Sequence, residues 1–479
     1  MKLANFPLLL LAITHVHFMM GLEQSESNGN RFHSLSVLYK NQTVIAQGIG
    51  LKQYGNASNV VTADTLFQID SYSKTFIGMG IAKLAKWFGV TKSRLTYLGM
   101  NSVFGDYGGD SALILGVVPT EREIVKSLAY LNKTRALRSG YAYTNAYYEI
   151  LGEVIEYKSI MTWSAYLDSN FFKPLWIHHT YSCALDVLNT EDLSFDHNIC
   201  NGKVAGPYHL KTSPEIFIWK NNSYIAAGSI ISSASDLSKF SRFLLNKGEG
   251  IFNSTKTISS MITGQTISPF FGNMQNVMGL SYSLNGNAVA AGYGLDIIGD
   301  VMYGYHYFDK GGDTSAFKAR NGFIPNEELA VVLLSNAQAK EGVMEDLFLQ
   351  DRLPEAKLQN SYNDAVKDAK TLSPPQNFDA HFLDGLIPQE KVIALAGIYF
   401  SSTSTKYYGN ITIAQAILTY GAFAAPIYYA TNIESTSFLR ASEVAMGSFS
   451  SFDIYQNTIQ LFHHLEWHEV HQGQLKELE

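Results

Sequence analysis

Cysteine is nearly absent: Cys183 and Cys200 are the two in 479 residues. That excludes a disulfide framework and leaves room for one bridge at most, which an oxidising compartment would favour slightly over two buried thiols. Charge is sparse too, at 16% of residues with a formal net charge of −7. No dense Lys/Arg patch with interleaved aromatics occurs, so no nucleic-acid partner is expected. No apolar run is long and unbroken enough to span a bilayer, so no stable membrane insertion is expected either. Gly-x-Ser-x-Gly, His-Glu-x-x-His and a Gly-rich phosphate loop are all missing, which removes the serine-elbow, zinc-helix and nucleotide-binding readings. Internal repeats are absent. His463, His464, His468 and His471 crowd the C-terminal end, but in a strand-and-turn setting with no carboxylate at a recognised spacing. They read as exposed polar residues, and no metal or cofactor is expected.

What is present is apolar and aromatic. Hydrophobic residues make up 46% and aromatics 13%, a composition for a globular β-rich protein long enough for two domains. Residues 1–21, with Lys2 ahead of a short apolar stretch from Leu8 to Ile13, read as a secretory signal peptide. An uncleaved signal anchor is the alternative. Asn41, Asn56, Asn132, Asn221, Asn253 and Asn410 each head an Asn-x-Ser/Thr sequon, as a secreted glycoprotein would display in surface loops.

Residues 33–49 alternate as a hairpin with its turn at Lys40-Asn41-Gln42. Helical periodicity follows over 74–87, 120–131, 145–157 and 235–245, with Ser235 as cap and Lys247-Gly248 as stop for the last. Strands return over 303–308, 316–324 and 330–335. Strands, helices, then strands predict an α+β domain over 22–350 whose sheet is built from both ends of the chain. A helix and linker containing Pro374-Pro375 occupy 351–390, and a small β-rich domain fills 391–479.

Ser71-Tyr72-Ser73-Lys74 carries the chemistry. It follows a strand-like run, 65–69, and opens a helix, where positions i and i+3 share a face. A lysine whose pKa is lowered by burial or by a cationic neighbour can take a proton from such a serine. Taken alone, the spacing also fits a serine that satisfies backbone donors at a helix start, and Ser315-Ala316-Phe317-Lys318 repeats it. Ser315, however, follows two glycines and precedes a strand. Two further segments lie in a telling order. Tyr143-Thr144-Asn145 stands at the mouth of a helical pattern, and Lys310-Gly311-Gly312-Asp313 lies between two strand-like runs. Other Tyr-x-Asn triplets occur, but only Tyr130 and Tyr143 fall between the Ser71 and Lys310 segments, and Tyr130 closes a helical pattern instead of opening one.

In these three boxes the chain resembles the serine β-lactamase-like and penicillin-binding-protein family, especially class C β-lactamases with their related esterases and D-Ala-D-Ala peptidases. The likeness runs with gaps from the first hairpin to Asn336, through 140–156, 163–175, 226–237 and 321–336. It implies an antiparallel sheet flanked by helices, with a helical lobe. It also implies a hydrolase in which Ser71, Lys74 and Tyr143 are catalytic, while Asn145, Lys310, Gly311, Gly312 and Asp313 bind a small-molecule or peptide substrate. Tyr143, flanked by Lys74 and Lys310, would be lowered in pKa and share the proton work with Lys74, and Asn145 would orient Lys74 or the substrate amide. The oxyanion hole would be the backbone N–H groups of Ser71 and Asp313. Gly311 stands where many relatives carry a hydroxyl that holds a substrate carboxylate, and the 75–142 region is short for the family's helical lobe. Two functions therefore remain open on sequence: an active ester or amide hydrolase, or an inactive fold that binds a ligand in the old cleft.

Overall fold

The computed structural model describes residues 33–336 apart from 89–97, 106–108, 119, 201–202, 213–224, 269–288, 300–305 and 315, and residues 389–469 apart from 422, 432–436, 443–450, 456–457 and 462–464. The expected signal peptide over 1–21, nearly all of the 351–390 segment, Asn221, Ser315, His463, His464 and His471 lie outside the described residues.

The first hairpin forms β1 (His33–Tyr39) and β2 (Gln42–Ile49). Lys40 and Asn41, at φ 49° and 64°, make the left-handed two-residue turn whose twist matches that of the strands. Six further strands complete the sheet: β3 (Thr266–Ile267), β4 (Ala290–Ala291), β5 (Asp296–Gly299), β6 (Tyr307–Asp313), β7 (Lys318–Ile324) and β8 (Leu329–Ser335). Their order is β2-β1-β8-β7-β6-β5-β4-β3, antiparallel throughout. β1 pairs with β8 in the register His33↔Ser335 to Tyr39↔Leu329, so the two ends of the domain meet in one sheet, as the strand–helix–strand order predicts. The Lys310-Gly311-Gly312-Asp313 segment lies inside β6, not between strands. A glycine pair reads as a turn in sequence; here it serves close tertiary approach.

Four helices matter to the site: α1 (Ser73–Phe88), α2 (Glu121–Ser127), α3 (Ala146–Ser159) and α4 (Ala234–Leu245). α1 is sunk in the core, with Phe76, Ile77 and Met79 wholly buried, and it packs on α3. Burying such side chains contributes about 2 kcal/mol each, which fixes the residues just ahead of the helix. α4 covers β1, β7 and β8. Its cap is Ser233, accepting from Asp236 N–H at 3.2 Å, and not Ser235, because the helix begins one residue earlier than its apolar rhythm. Cys183 is buried, and its expected pairing with Cys200 lies outside the described side chains.

The C-terminal region closes into an eight-stranded barrel running from Gly397–Ser401 to Leu465–Glu469, where Tyr399 pairs back onto Glu469. Closure removes the sheet edges that a small open β domain would expose. Tyr399, Leu418, Tyr420, Phe423 and Ile459 are buried there, in one apolar cluster with Ala112, Leu115, Leu128, Leu131 and Ala146 of the preceding domain. Tyr407 OH donates to Gly109 O at 2.8 Å, fixing the backbone beside Asp110. Among the described residues no helix is long and apolar enough to cross a membrane.

Candidate active site

The residue after the nucleophile candidate sets its direction. Phe67–Gln68 pairs with Ile231–Ser232, and a single 3-10 turn over Asp70–Tyr72 then leads into α1. Tyr72 points into the core, edge-on to Phe76 and Phe240, with its hydroxyl accepting from Asn321 Nδ2 of β7 at 2.8 Å. That anchor leaves Ser71, its neighbour, facing the cleft at the N-terminal end of the helix.

Ser71 Oγ is the hub. Lys74 Nζ donates to it at 3.0 Å and the Tyr143 hydroxyl at 2.8 Å. Lys74 is fully buried and spends a second proton on Ala227 O at 2.9 Å. Burial lowers its pKa to about 8; Asp70 opposes that and Lys310 adds to it. An amine so tuned holds an appreciable neutral fraction near neutral pH, which a base for the serine proton requires. The Lys74 and Lys310 ammonium groups stand 5.0 and 5.4 Å from the Tyr143 ring centre. Lys310 itself is paired with Asp296 at 2.8 Å.

Asn145 stands beside a carboxyl that sequence reasoning did not anticipate. Its Nδ2 donates to Asp110 Oδ2 and makes no described bond to Lys74. Asp110 is buried, its Oδ1 has no hydrogen-bond partner among the described residues, and burial raises its pKa to about 7. Asn145 therefore reaches the lysine through a carboxyl that carries part of the local charge.

β6 brings the third box alongside. An ideal Cβ on Gly312 would stand 2.0 Å from Ile69 O and 2.9 Å from Ser71 N, so only a bare backbone lets the strand lie against the nucleophile's turn. On Gly311 a Cβ would meet the Arg320 guanidinium at 2.0 Å, a flexible side-chain end. The Asp313 N–H, expected in the oxyanion hole, donates to Asp70 Oδ2 at 3.1 Å. The Asp313 carboxylate faces Arg320 at 3.3 Å and Lys318 at 3.4 Å.

Sequence reasoning missed the carboxylates around this hub: Asp70, Asp110, Asp296 and the pair Glu121–Glu149. The pair fixes the lysine from behind. Glu149 accepts from Ala227 N–H at 3.0 Å and Ala226 N–H at 3.2 Å, and Glu121 from Ala226 N–H and Trp163 Nε1, both at 2.8 Å. Ala227 O then holds Lys74. Burial raises the pKa of both glutamates, and the hydrogen bond between them requires a shared proton. A pKa raised in the folded state gives stability that is complete below the ordinary value of 4.5 and lost as pH climbs through the raised one. Replacing Glu149 with alanine strands the Ala227 N–H, while Ala226 N–H keeps Glu121 as its acceptor. The substitution should lower stability by about 2 kcal/mol at pH 7 and flatten the fall of the thermal midpoint as pH rises above 4.5. Scanning calorimetry across that range checks both; an unchanged slope would contradict the shared proton.

Comparison with known proteins identifies the family and the fold. The Beta-lactamase family profile matches residues 98–353, a span that begins after Ser71 and Lys74 and includes Tyr143 and Lys310. No curated protein matches. Among solved structures, the octameric penicillin-binding protein homologue from Pyrococcus abyssi is similar at a TM-score of 0.60 and 17% identity, over 95% of this chain and 98% of that one. D-amino acid amidase from Ochrobactrum anthropi SV3, complexed with L-phenylalanine, is similar at 0.51 and 19% identity, over 77% and 99%. A penicillin-binding protein from Bacillus halodurans is similar at 0.51 and 15%, over 70% and 98%. At these identities the structures establish a shared fold, and the 95% coverage by the first extends that likeness over the barrel. With its profile match spanning more than half of its length, the chain belongs to the β-lactamase family, a family of serine hydrolases.

Proposed function

We propose that this protein is a serine hydrolase that cleaves an ester or amide through an acyl-enzyme on Ser71. The observation that carries the reading is the pair of short contacts at one oxygen, Lys74 Nζ at 3.0 Å and Tyr143 OH at 2.8 Å from Ser71 Oγ. Ser71 Oγ attacks the substrate carbonyl and forms a C–O bond while its proton passes to neutral Lys74 or through Tyr143. The tetrahedral intermediate collapses, the bond to the leaving alcohol or amine breaks, and that group takes the proton held by the Tyr143–Lys74 pair. Water then adds to the acyl carbon, the same pair accepting its proton, and expulsion of Ser71 Oγ frees the acid and restores the hydroxyl.

The cations of the cleft favour an ester or neutral amide over a carboxylate-bearing β-lactam. Lys310 is engaged by Asp296, and Lys318 and Arg320 by Asp313, while Gly311 offers no hydroxyl. Secretion fits the same reading: Asn41, Asn132, Asn253 and Asn410, each heading a sequon, are exposed. Parallel incubation with a fluorophosphonate probe and a fluorescent penicillin should give fluorophosphonate labelling with penicillin uptake at least tenfold weaker. Equal uptake of penicillin would contradict the ester preference, and no labelling by either would favour a binding protein built on the same fold.

A further inference from the structure

The two backbone donors that would stabilise an oxyanion at Ser71 are already taken. Asp70 Oδ2 accepts from the Asp313 N–H at 3.1 Å, and the Ser71 backbone hydrogen-bonds the same carboxyl. Ser71 Oγ itself stands 3.4 Å from Oδ2. Two features of the chain hold the carboxyl there. Asp70 has φ 39°, a left-handed conformation that non-glycine residues rarely adopt. Opposite it, Gly228 leaves room: an ideal Cβ at that position would stand 2.6 Å from Asp70 Oδ1. An anionic oxygen with these partners occupies the place that the oxygen of a tetrahedral intermediate would take.

We infer that Asp70 is an internal ligand of the oxyanion hole, so that acyl transfer at Ser71 proceeds only when the Asp70 carboxyl is displaced or neutralised. The inference rests on the Ser71 reading above. It makes Asp70 the residue that decides which substrates react: a carbonyl that presents weak acceptor character, or brings little binding energy elsewhere, loses the competition for the two N–H groups.

The charged groups facing Asp70 are few. Lys74 approaches from α1 and Asp313 from β6; the Gly228 segment supplies only backbone. Lys310 faces Asp296 and Tyr143, while Lys318 and Arg320 of β7 hold Asp313. Burial raises the Asp70 pKa to about 6, against the pull of Lys74 and with the push of Asp313. Above that pH the carboxylate is the stronger ligand of the hole; below it the neutral acid yields more readily. Lys74 runs the other way, being a base only where its pKa of about 8 is approached or passed. The native protein therefore needs one group protonated and the other not, and its reactivity stays low and flat between these values.

The test is the rate of Ser71 labelling by a fluorophosphonate probe, whose phosphoryl oxygen needs the same two donors. It is measured on the full chain from pH 6 to 9 for the native protein, Asp70→Gly and Asp70→Asn. Asp70→Gly should label at least tenfold faster at pH 8, with a rate that climbs as Lys74 deprotonates, at a lower pH than in the native protein because the carboxylate that raises the lysine pKa is gone. Asp70→Asn, a neutral acceptor of the same shape, should fall between the two. Native protein that labels at Ser71 as fast as both variants, with thermal midpoints unchanged, overturns the inference and leaves the hydrolase reading standing. If no form labels at Ser71, the reading beneath it fails and the gate fails with it. Should Asp70→Gly not fold, Asp70→Asn decides alone, faster labelling supporting the gate and equal labelling overturning it.

Discussion

Ser71→Ala should abolish covalent labelling and lower ester hydrolysis by about a thousandfold or more, a loss of at least ~4 kcal/mol of transition-state stabilisation. The protein should nevertheless keep its fold. Ser71 is half-exposed, and its hydroxyl supports no strand or helix; its contacts are to Lys74, Tyr143 and Asp70. Lys74 retains Ala227 O as an acceptor when the hydroxyl is gone. A thermal midpoint within a few degrees of the native one would therefore accompany the loss. Steady-state kinetics on a chromogenic ester, measured beside a melting curve, separates loss of the nucleophile from loss of the fold. Hydrolysis that persists in the alanine variant would place the chemistry elsewhere.

Gly312→Ala should be nearly as damaging, for a reason that is steric instead of chemical. Its methyl group would meet Ile69 O at 2.0 Å and Ser71 N at 2.9 Å, and both are backbone atoms of the turn that aims the nucleophile. Neither can swing aside, so β6 and the turn must part. Overpacking of this kind costs about 1–3 kcal/mol, and a displacement near 1 Å at the reacting atoms costs about a hundredfold in rate. Gly311→Ala is the internal control. There the added methyl group meets the end of the Arg320 side chain, which can turn away at the cost of its bond to Asp313. A rate within about threefold of native is expected for Gly311→Ala, since only the end of one side chain must move and the turn at Ser71 is left in place. Equal effects at the two glycines, read by labelling rate and melting curve, would contradict the close approach of β6 to Ser71.

The legible parts of this protein are those fixed by local pattern. The hairpin could be read because alternation and two turn residues occupy one short stretch, and α1 because Phe76, Ile77, Ile81 and Leu84 share a helix face ahead of which a serine and lysine stand. The order of the three boxes left Tyr130 and Tyr143 among several Tyr-x-Asn triplets, the helix mouth at Tyr143 decided between them, and the structure puts its hydroxyl on Ser71 Oγ. Where reading failed, distant contacts decide. Gly311-Gly312 carries a turn-like composition yet sits in a strand, because what those glycines admit is Ile69 and Arg320, each far away or across a ladder.

Asp70, Asp110, Glu121 and Glu149 look like ordinary surface carboxylates in sequence. Their burial, and with it their raised pKa values, arises from partners on other elements. The barrel shows the same limit. Alternation marks its strands, but closure depends on Tyr399 meeting Glu469 at the opposite end of the segment. Its shared core with Leu115, Leu128 and Ala146 also ties it to the backbone around Asp110, a link that the charged, proline-containing stretch before it conceals. The 351–390 segment reads as a separator, whereas the two regions it joins pack as neighbours.

The central claim is that one hydroxyl is the nucleophile. The most direct measurement is intact-mass analysis of the full chain after fluorophosphonate treatment, followed by fragmentation of the modified peptide. A single adduct located on Ser71 is expected. An adduct on any other serine or tyrosine, or an unmodified chain under conditions that label a control hydrolase, would contradict it.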